Sequence, residues 1–181
     1  MPLPYYRIDI SEIPESLVDR LEEPVAVTPR SPLQLRRQVE RFAKYFQREF
    51  RYDFQQFEAT EKIEKHKRPY AAYLFPNEPN RYPRVWAGAC CFRWREPKDF
   101  EPRWAMQWMW LHPYYRGTGI LSRAWERFHV LHEDFMCEPP FSPAMQAFLR
   151  KRGKCILCWQ PLDTEEVICS RCEEQHKHAA C

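Results

Sequence analysis

Two groups of residues in this chain have types and spacings that do chemistry. The first is Cys155-x2-Cys158, then ten intervening residues, then Cys169-x2-Cys172. Each Cys-x-x-Cys turn presents two thiolates to one metal, and two such knuckles complete a tetrahedral zinc site. Four cysteines leave no open position on the metal, so this zinc is read as structural rather than catalytic. Four unligated thiols are the poorer reading, because so short a tail cannot build a core unaided. His176, His178 and Cys181 are read as solvated tail residues, a substitute ligand or a second, weaker site. The second group is Arg116-Gly117-Thr118-Gly119, set between an apolar run and a helical pattern. The two glycines let the backbone take positive φ and come close to a ligand. The first N–H groups of the helix have no internal partner, so they can face a phosphate with help from the helix dipole. Arg116 would add a fixed positive charge. The alternative is an ordinary strand-to-helix turn whose glycines relieve strain.

The elements that must position these residues follow from periodicity. Residues 104–111 put Trp104, Met106, Trp108 and Trp110 on one strand face and Ala105, Gln107, Met109 and Leu111 on the other. Both faces are largely apolar, which suits a strand inside a sheet. Pro113 ends that ladder for want of an N–H. From Ile120 the apolar residues Leu121, Ala124, Trp125, Phe128 and Leu131 recur with helical spacing. Residues 134–138 form a short parallel strand stopped by Pro139-Pro140. Ser142-Pro143 then caps and opens a helix with Ala144, Met145, Phe148 and Leu149 on its apolar face, ending at Gly153.

Upstream, residues 70–75 and 85–95 read as a hairpin or meander, with Trp86, Cys90, Phe92 and Trp94 on one face. Cys90 and Cys91 point to opposite faces and read as buried thiols. Ser31 is the expected cap, and Pro32 the first position, of a helix with the stripe Leu35, Val39, Phe42, Phe46 and Phe50. Its arginines and lysines read as a solvated face, and the basic run at 62–68 as a solvated loop or helix end. Residues 5–10 read as a short first strand, residues 11–21 as one or two helical turns capped by Ser11, and the rest of residues 1–32 as extended loop.

At 181 residues, with 44% hydrophobic and 15% aromatic side chains, the chain can hold one well-buried domain and a small appendage. A net charge of +3 makes no strong electrostatic case for nucleic acid. No apolar stretch is long enough to span a bilayer, and the first residues lack the layout of a signal peptide. Eight cysteines then read as thiols or metal ligands rather than disulfides, and the cytoplasm is the expected location.

The stretch LHPYYRGTGI resembles the acyl-CoA-binding motif of the GNAT N-acetyltransferase superfamily, Arg/Gln-x-x-Gly-x-Gly/Ala after the fourth strand. Arg116, Gly119 and Leu121 occupy its defined positions, Leu121 where a small residue is usual. The resemblance covers residues 70–153 in detail. It implies an α+β fold with a GNAT-like mixed sheet flanked by helices over residues 1–153; the small zinc module read from the cysteine spacing over 154–181 departs from the family pattern by replacing its last two strands. It implies acetyl-CoA as cosubstrate, its pyrophosphate held by backbone N–H groups of Arg116, Gly117, Thr118, Gly119, Ile120 and Leu121. Its pantetheine arm would pair with the backbone of Trp110, Leu111 and His112 in the gap where the fourth and fifth strands splay.

The family's usual base, a Glu on the fourth strand, is replaced here by Gln107, with Glu101 just before it. Glu138, ending the next strand, is the best-placed carboxylate. His112 has a suitable intrinsic pKa for proton transfer, though a structural role suits a His before Pro. Ser142 lies near the cleft but serves equally as an N-cap. The family's tyrosine acid is replaced by Phe148 or Leu149, and Tyr114 and Tyr115 read as surface packing. The leading expectation is an N-acyltransferase moving an acetyl group to an amine of unidentified class. The alternatives are a non-catalytic GNAT-fold interaction protein and a nucleic-acid-directed zinc protein, with the zinc module as the surface for a protein or nucleic-acid partner.

Overall fold

The computed structural model describes residues 7–18, 24–61, 70–78, 82–96, 101–133 and 135–152. The zinc reading of Cys155, Cys158, Cys169 and Cys172, and the basic run at 62–68, lie outside the described residues.

Five strands form one sheet in the order of the sequence: β1 (Val25–Val27), β2 (Ala71–Pro76), β3 (Trp86–Arg95), β4 (Arg103–Leu111) and β5 (Met136–Cys137). The first four pair antiparallel, and β5 joins β4 in parallel. A one-turn helix α1 (Glu15–Val18) precedes β1, and α2 (Leu33–Phe50) links β1 to β2. Helix α3 (Ile120–His132) makes the crossover from β4 to β5, and α4 (Pro143–Arg150) follows. The fold is therefore α+β, a mixed five-stranded sheet flanked by helices.

Two apolar layers hold it. On one face Val39, Phe42 and Phe46 of α2 pack on Leu74, Trp86, Trp108 and Trp110. On the other, Ala124, Trp125 and Phe128 of α3 and Leu149 of α4 pack on Phe75, Phe92 and Met106. With helices on both faces, β3 and β4 have no solvated side, which is why their sequences are apolar at nearly every position. Cys90 and Cys91 are both buried, one in each layer.

Strict alternation fails at two bulges. Cys91 pairs with Trp108 but Phe92 with Met106, so Gln107 is the extra residue of β4. The insertion reverses the faces. Trp104 and Met106 join the α3 layer, while Trp108 and Trp110 join the α2 layer, so the four do not share one face as expected. A second shift, opposite Phe75 and Pro76, turns Trp86 away from Cys90 and Phe92.

The N-terminal expectations also need correction. Residues 7–10 belong to no strand, and the first strand is Val25–Val27. Ser11 caps no helix; its hydroxyl receives a hydrogen bond from Arg41. Ser31 is not the cap of α2 either, since its Oγ accepts from Thr28 N at 2.9 Å and the cap position falls on Pro32. Arg36 reaches back across the surface to the Ala59 carbonyl.

Candidate functional site

The parallel pair of β4 and β5 is short. Ala105 pairs with Met136 and Met106 with Cys137, and Glu138 N donates to the Met106 carbonyl at 3.0 Å. Pro139 and Pro140 have no N–H with which to continue, so β5 stops. β4 runs on to Leu111. Between the parted strands lies a cleft of about 580 Å³. Phe46 and Phe50 at the end of α2 form one wall, and Phe141, Met145 and Phe148 at α4 form the other.

The glycine loop closes one end of the cleft. A short 3-10 turn, Pro113–Tyr115, leads from β4 into it. Gly117 and Gly119 both have positive φ, 77° and 82°, as the sequence led us to expect. A Cβ at Gly117 would meet nothing within 4 Å, so that backbone faces open space and lines the cleft. The first bond closing α3 runs from Arg123 N to the Gly119 carbonyl at 3.0 Å. The amides of Ile120, Leu121 and Ser122 therefore have no partner within the helix. The side chains of Ile120 and Leu121 are buried in the α3 layer, so these residues offer backbone alone to a ligand. Thr118 secures the turn by donating its hydroxyl to the Tyr115 carbonyl at 2.8 Å.

Arg116 is not the free charge that its position suggested. Its Nη1 and Nη2 bind the two carboxylate oxygens of Glu49 at 2.8 and 2.6 Å, and its Nε donates to the Leu111 carbonyl at 2.8 Å. Glu49 Oε2 also accepts from Trp110 Nε1 at 2.7 Å. This bidentate arrangement ties the glycine loop to the last turn of α2. It holds the loop in shape but neutralises the arginine.

The backbone expected to meet an arm in the gap is partly spent as well. His112 N donates to the Ala87 carbonyl at 2.8 Å, and the Leu111 carbonyl is held by Arg116. Strand amides alternate in direction, so Trp110 and His112 turn toward β3 while Met109 and the Leu111 N–H turn to the free edge. Of the expected set Trp110, Leu111 and His112, only Leu111 turns its N–H to the free edge, beside Met109.

The proposed catalytic side chains are brought unequally to this place. Glu138 lines the cleft where β5 leaves β4. Its carboxylate is held by Arg95, through a short bond from Nε and a second from Nη2 at 3.2 Å. Ser142 lines the cleft too, but its Oγ accepts from Met145 N at 3.2 Å and caps α4. His112 does not line the cleft. Its Nδ1 accepts from Tyr114 N at 3.1 Å and caps the 3-10 turn. Burial, and then the neighbouring Arg116 charge, lower its pKa below the usual histidine value. Tyr115 is buried rather than at the surface, while Tyr114 is exposed.

Sequence reasoning missed Glu49 and a polar chain beside Gln107. Gln107 Oε1 accepts from Arg93 Nε at 3.0 Å, and its amide donates to Gln56 at 3.1 Å. Arg93 in turn forms a bidentate pair with Glu61 at 2.9 and 2.6 Å. Among the described residues no cluster of His, Cys, Asp or Glu is arranged to hold a metal ion, and no helix is long and apolar enough to cross a membrane.

The fold and site define an α+β protein with a cleft between parting parallel strands, ended by a glycine loop. No protein-family model and no curated protein matches the chain. Among solved structures it is similar to a point mutant of the BH1408 protein from Bacillus halodurans, with a TM-score of 0.48 and 14% identity over 77% of this chain and 98% of that one. A tetramutant of the same protein gives a TM-score of 0.45 and 12% identity over 77% and 99%. Neither likeness carries an assignment to this chain.

Proposed function

We propose that this chain is an acyl-CoA-dependent N-acyltransferase with a GNAT-like fold, and that residues beyond 153 hold a structural zinc through Cys155, Cys158, Cys169 and Cys172. The observation that supports the first part is the parting of β4 from β5 beside a glycine loop that opens α3, whose first amides have no partner within the helix; the resemblance of LHPYYRGTGI implies that order of elements. The residues present suit the cosubstrate. Gly117 faces open space, and the amides from Gly117 to Leu121 can take its phosphates without a side-chain charge. The free edge at Met109 and Leu111 can pair with the amide-bearing arm.

In the reaction, the acceptor's amine nitrogen forms a bond to the thioester carbonyl carbon, and the carbon–sulfur bond breaks. The proton lost by nitrogen balances the one gained by the departing thiolate. Glu138 is the carboxylate at the opening that can receive it, directly or through water. Arg95 holds that carboxylate in place. Neither Phe148 nor Leu149 can donate a proton to sulfur, so the thiolate draws it from Glu138 or from water.

A second reading is kept because Glu138, Ser142 and His112 are all internally bonded. It is a GNAT-fold interaction protein that binds CoA without turnover. Native mass spectrometry with and without acetyl-CoA tests these readings together. One zinc and a stoichiometric acetyl-CoA adduct, with CoA released when amines are supplied, support the transferase. An adduct without turnover favours the binding protein. The absence of any adduct overturns both.

A further inference from the structure

The cleft is larger than an acetyl group needs and is lined mainly by apolar side chains. Its volume of about 580 Å³ falls within the range that buries a drug-sized ligand. Three of the chain's five methionines, Met106, Met109 and Met145, line it. Unbranched and polarisable, methionines adapt to apolar ligands of varying shape. Phe46 and Phe50 face it from α2, and Phe141 and Phe148 from the α4 side. Phe50 is 38% exposed, so part of this wall is apolar surface open to water.

Most polar side chains of the lining are already engaged within the protein, the exception being the buried indole N–H of Trp108, which has no partner among the described residues. Glu49 and Arg116 bind each other. Gln107 is bonded at both ends of its amide, to Arg93 and Gln56. Glu138 is held by Arg95, and Ser142 caps α4. A polar group buried among these apolar side chains would lose water and find few free side-chain partners, which disfavours filling most of the cleft with polar groups. An apolar chain gives up no hydrogen bonds by entering and gains burial that offsets the cost of ordering it.

The unpaired amides of the glycine loop sit at one end of this apolar space, with Gly117 and Leu121 in its lining. The site therefore has two ends, one for anionic groups and one for hydrocarbon. Resting on the acyltransferase reading, we propose that the cleft binds acyl-CoA thioesters whose acyl chain is well beyond acetyl, with the chain lying among Phe141, Met145, Phe148 and the methionines of β4.

The test is calorimetry of the full chain with acetyl-, butyryl-, hexanoyl- and octanoyl-CoA below their micellar concentrations. The dissociation constant is expected to fall by up to about fourfold for each methylene buried, until the space is filled. Met145→Trp, which fills the α4 wall, is expected to move the preferred length toward shorter chains. That shift is read as the octanoyl-to-acetyl ratio within one protein, so a general loss of folding drops out. Equal affinities for acetyl- and octanoyl-CoA would overturn the proposal while leaving the acyltransferase reading standing. Failure of every thioester to bind would remove both. Octanoate binding as tightly as octanoyl-CoA would overturn the two-ended site. A chain-length dependence seen only for alkylamine acceptors with acetyl-CoA would overturn the assignment of the space to the donor.

Discussion

Glu49 connects more of the site than any residue singled out by motif. It receives the Arg116 guanidinium and the Trp110 indole, so it joins α2, β4 and the glycine loop. Its pair with Arg116 is only 23% exposed on each side, so solvent screens it less than a surface pair. Glu49→Gln should cost about 1–3 kcal/mol, read as a lower denaturant midpoint, because it leaves a partly buried arginine without its counter-charge. His132 gives a pH dependence. It stacks on Phe92 at 4.2 Å and bonds through Nε2 to the Tyr73 hydroxyl at 2.7 Å, while its Nδ1 is buried without a partner. Burial lowers its pKa to about 4, from an ordinary value of 6.5. The unfolded chain therefore binds this proton more readily than the folded one between those values. Stability contributed by the neutral ring is complete above pH 6.5 and is lost as pH falls through about 4. Its size is at most about 3 kcal/mol. His132→Phe should flatten the unfolding free energy across that window; an unchanged slope would remove His132 as its source. Neither residue was legible. Glu49 and Arg116 are 67 positions apart, and Tyr73 and His132 are 59 apart, and one sequence carries no signal for such pairs. The glycines at 117 and 119 were legible because their positive φ is a local demand.

Among the elements, β3 and β4 approach closely at Gly88. A Cβ there would lie 2.2 Å from the Trp110 carbonyl oxygen and 2.9 Å from the Leu111 Cα, both backbone atoms that cannot step aside. Gly88→Ala should therefore destabilise the protein by about 1–3 kcal/mol or more, measured by denaturant unfolding, and should weaken CoA binding by displacing the end of β4. Ser142→Ala offers a contrast. It should cost about 1 kcal/mol through the lost cap of α4 and leave turnover largely intact; a collapse of turnover with an intact fold would make Ser142 catalytic after all. Strand β4, helix α3 and the serine-proline start of α4 were readable because each rests on a short-range period or cap. The bulges at Gln107 and opposite Phe75 were not. A period of two assumes no insertion, and one extra residue sends every later side chain to the other face.

At the scale of the whole molecule, the strand order equals the chain order, and only the last strand needs a crossover. Strands β1 to β4 are joined to immediate neighbours, although α2 and the residues after it separate β1 from β2. β5 must wait for α3 to fold back, and it is then secured by only two paired residues. With only two paired residues it closes the α3 crossover through the least hydrogen bonding of any strand pair among the described residues, so this wall is expected to form late and to open first. Native-state hydrogen exchange should show residues 136–138 exchanging well before Cys90 and Cys91 in β3. A saturating thioester should slow the first group far more than the second. If residues 136–138 open first as expected, the two-residue strand beside the cleft would act as its gatekeeper, setting how quickly a bound molecule is admitted and released.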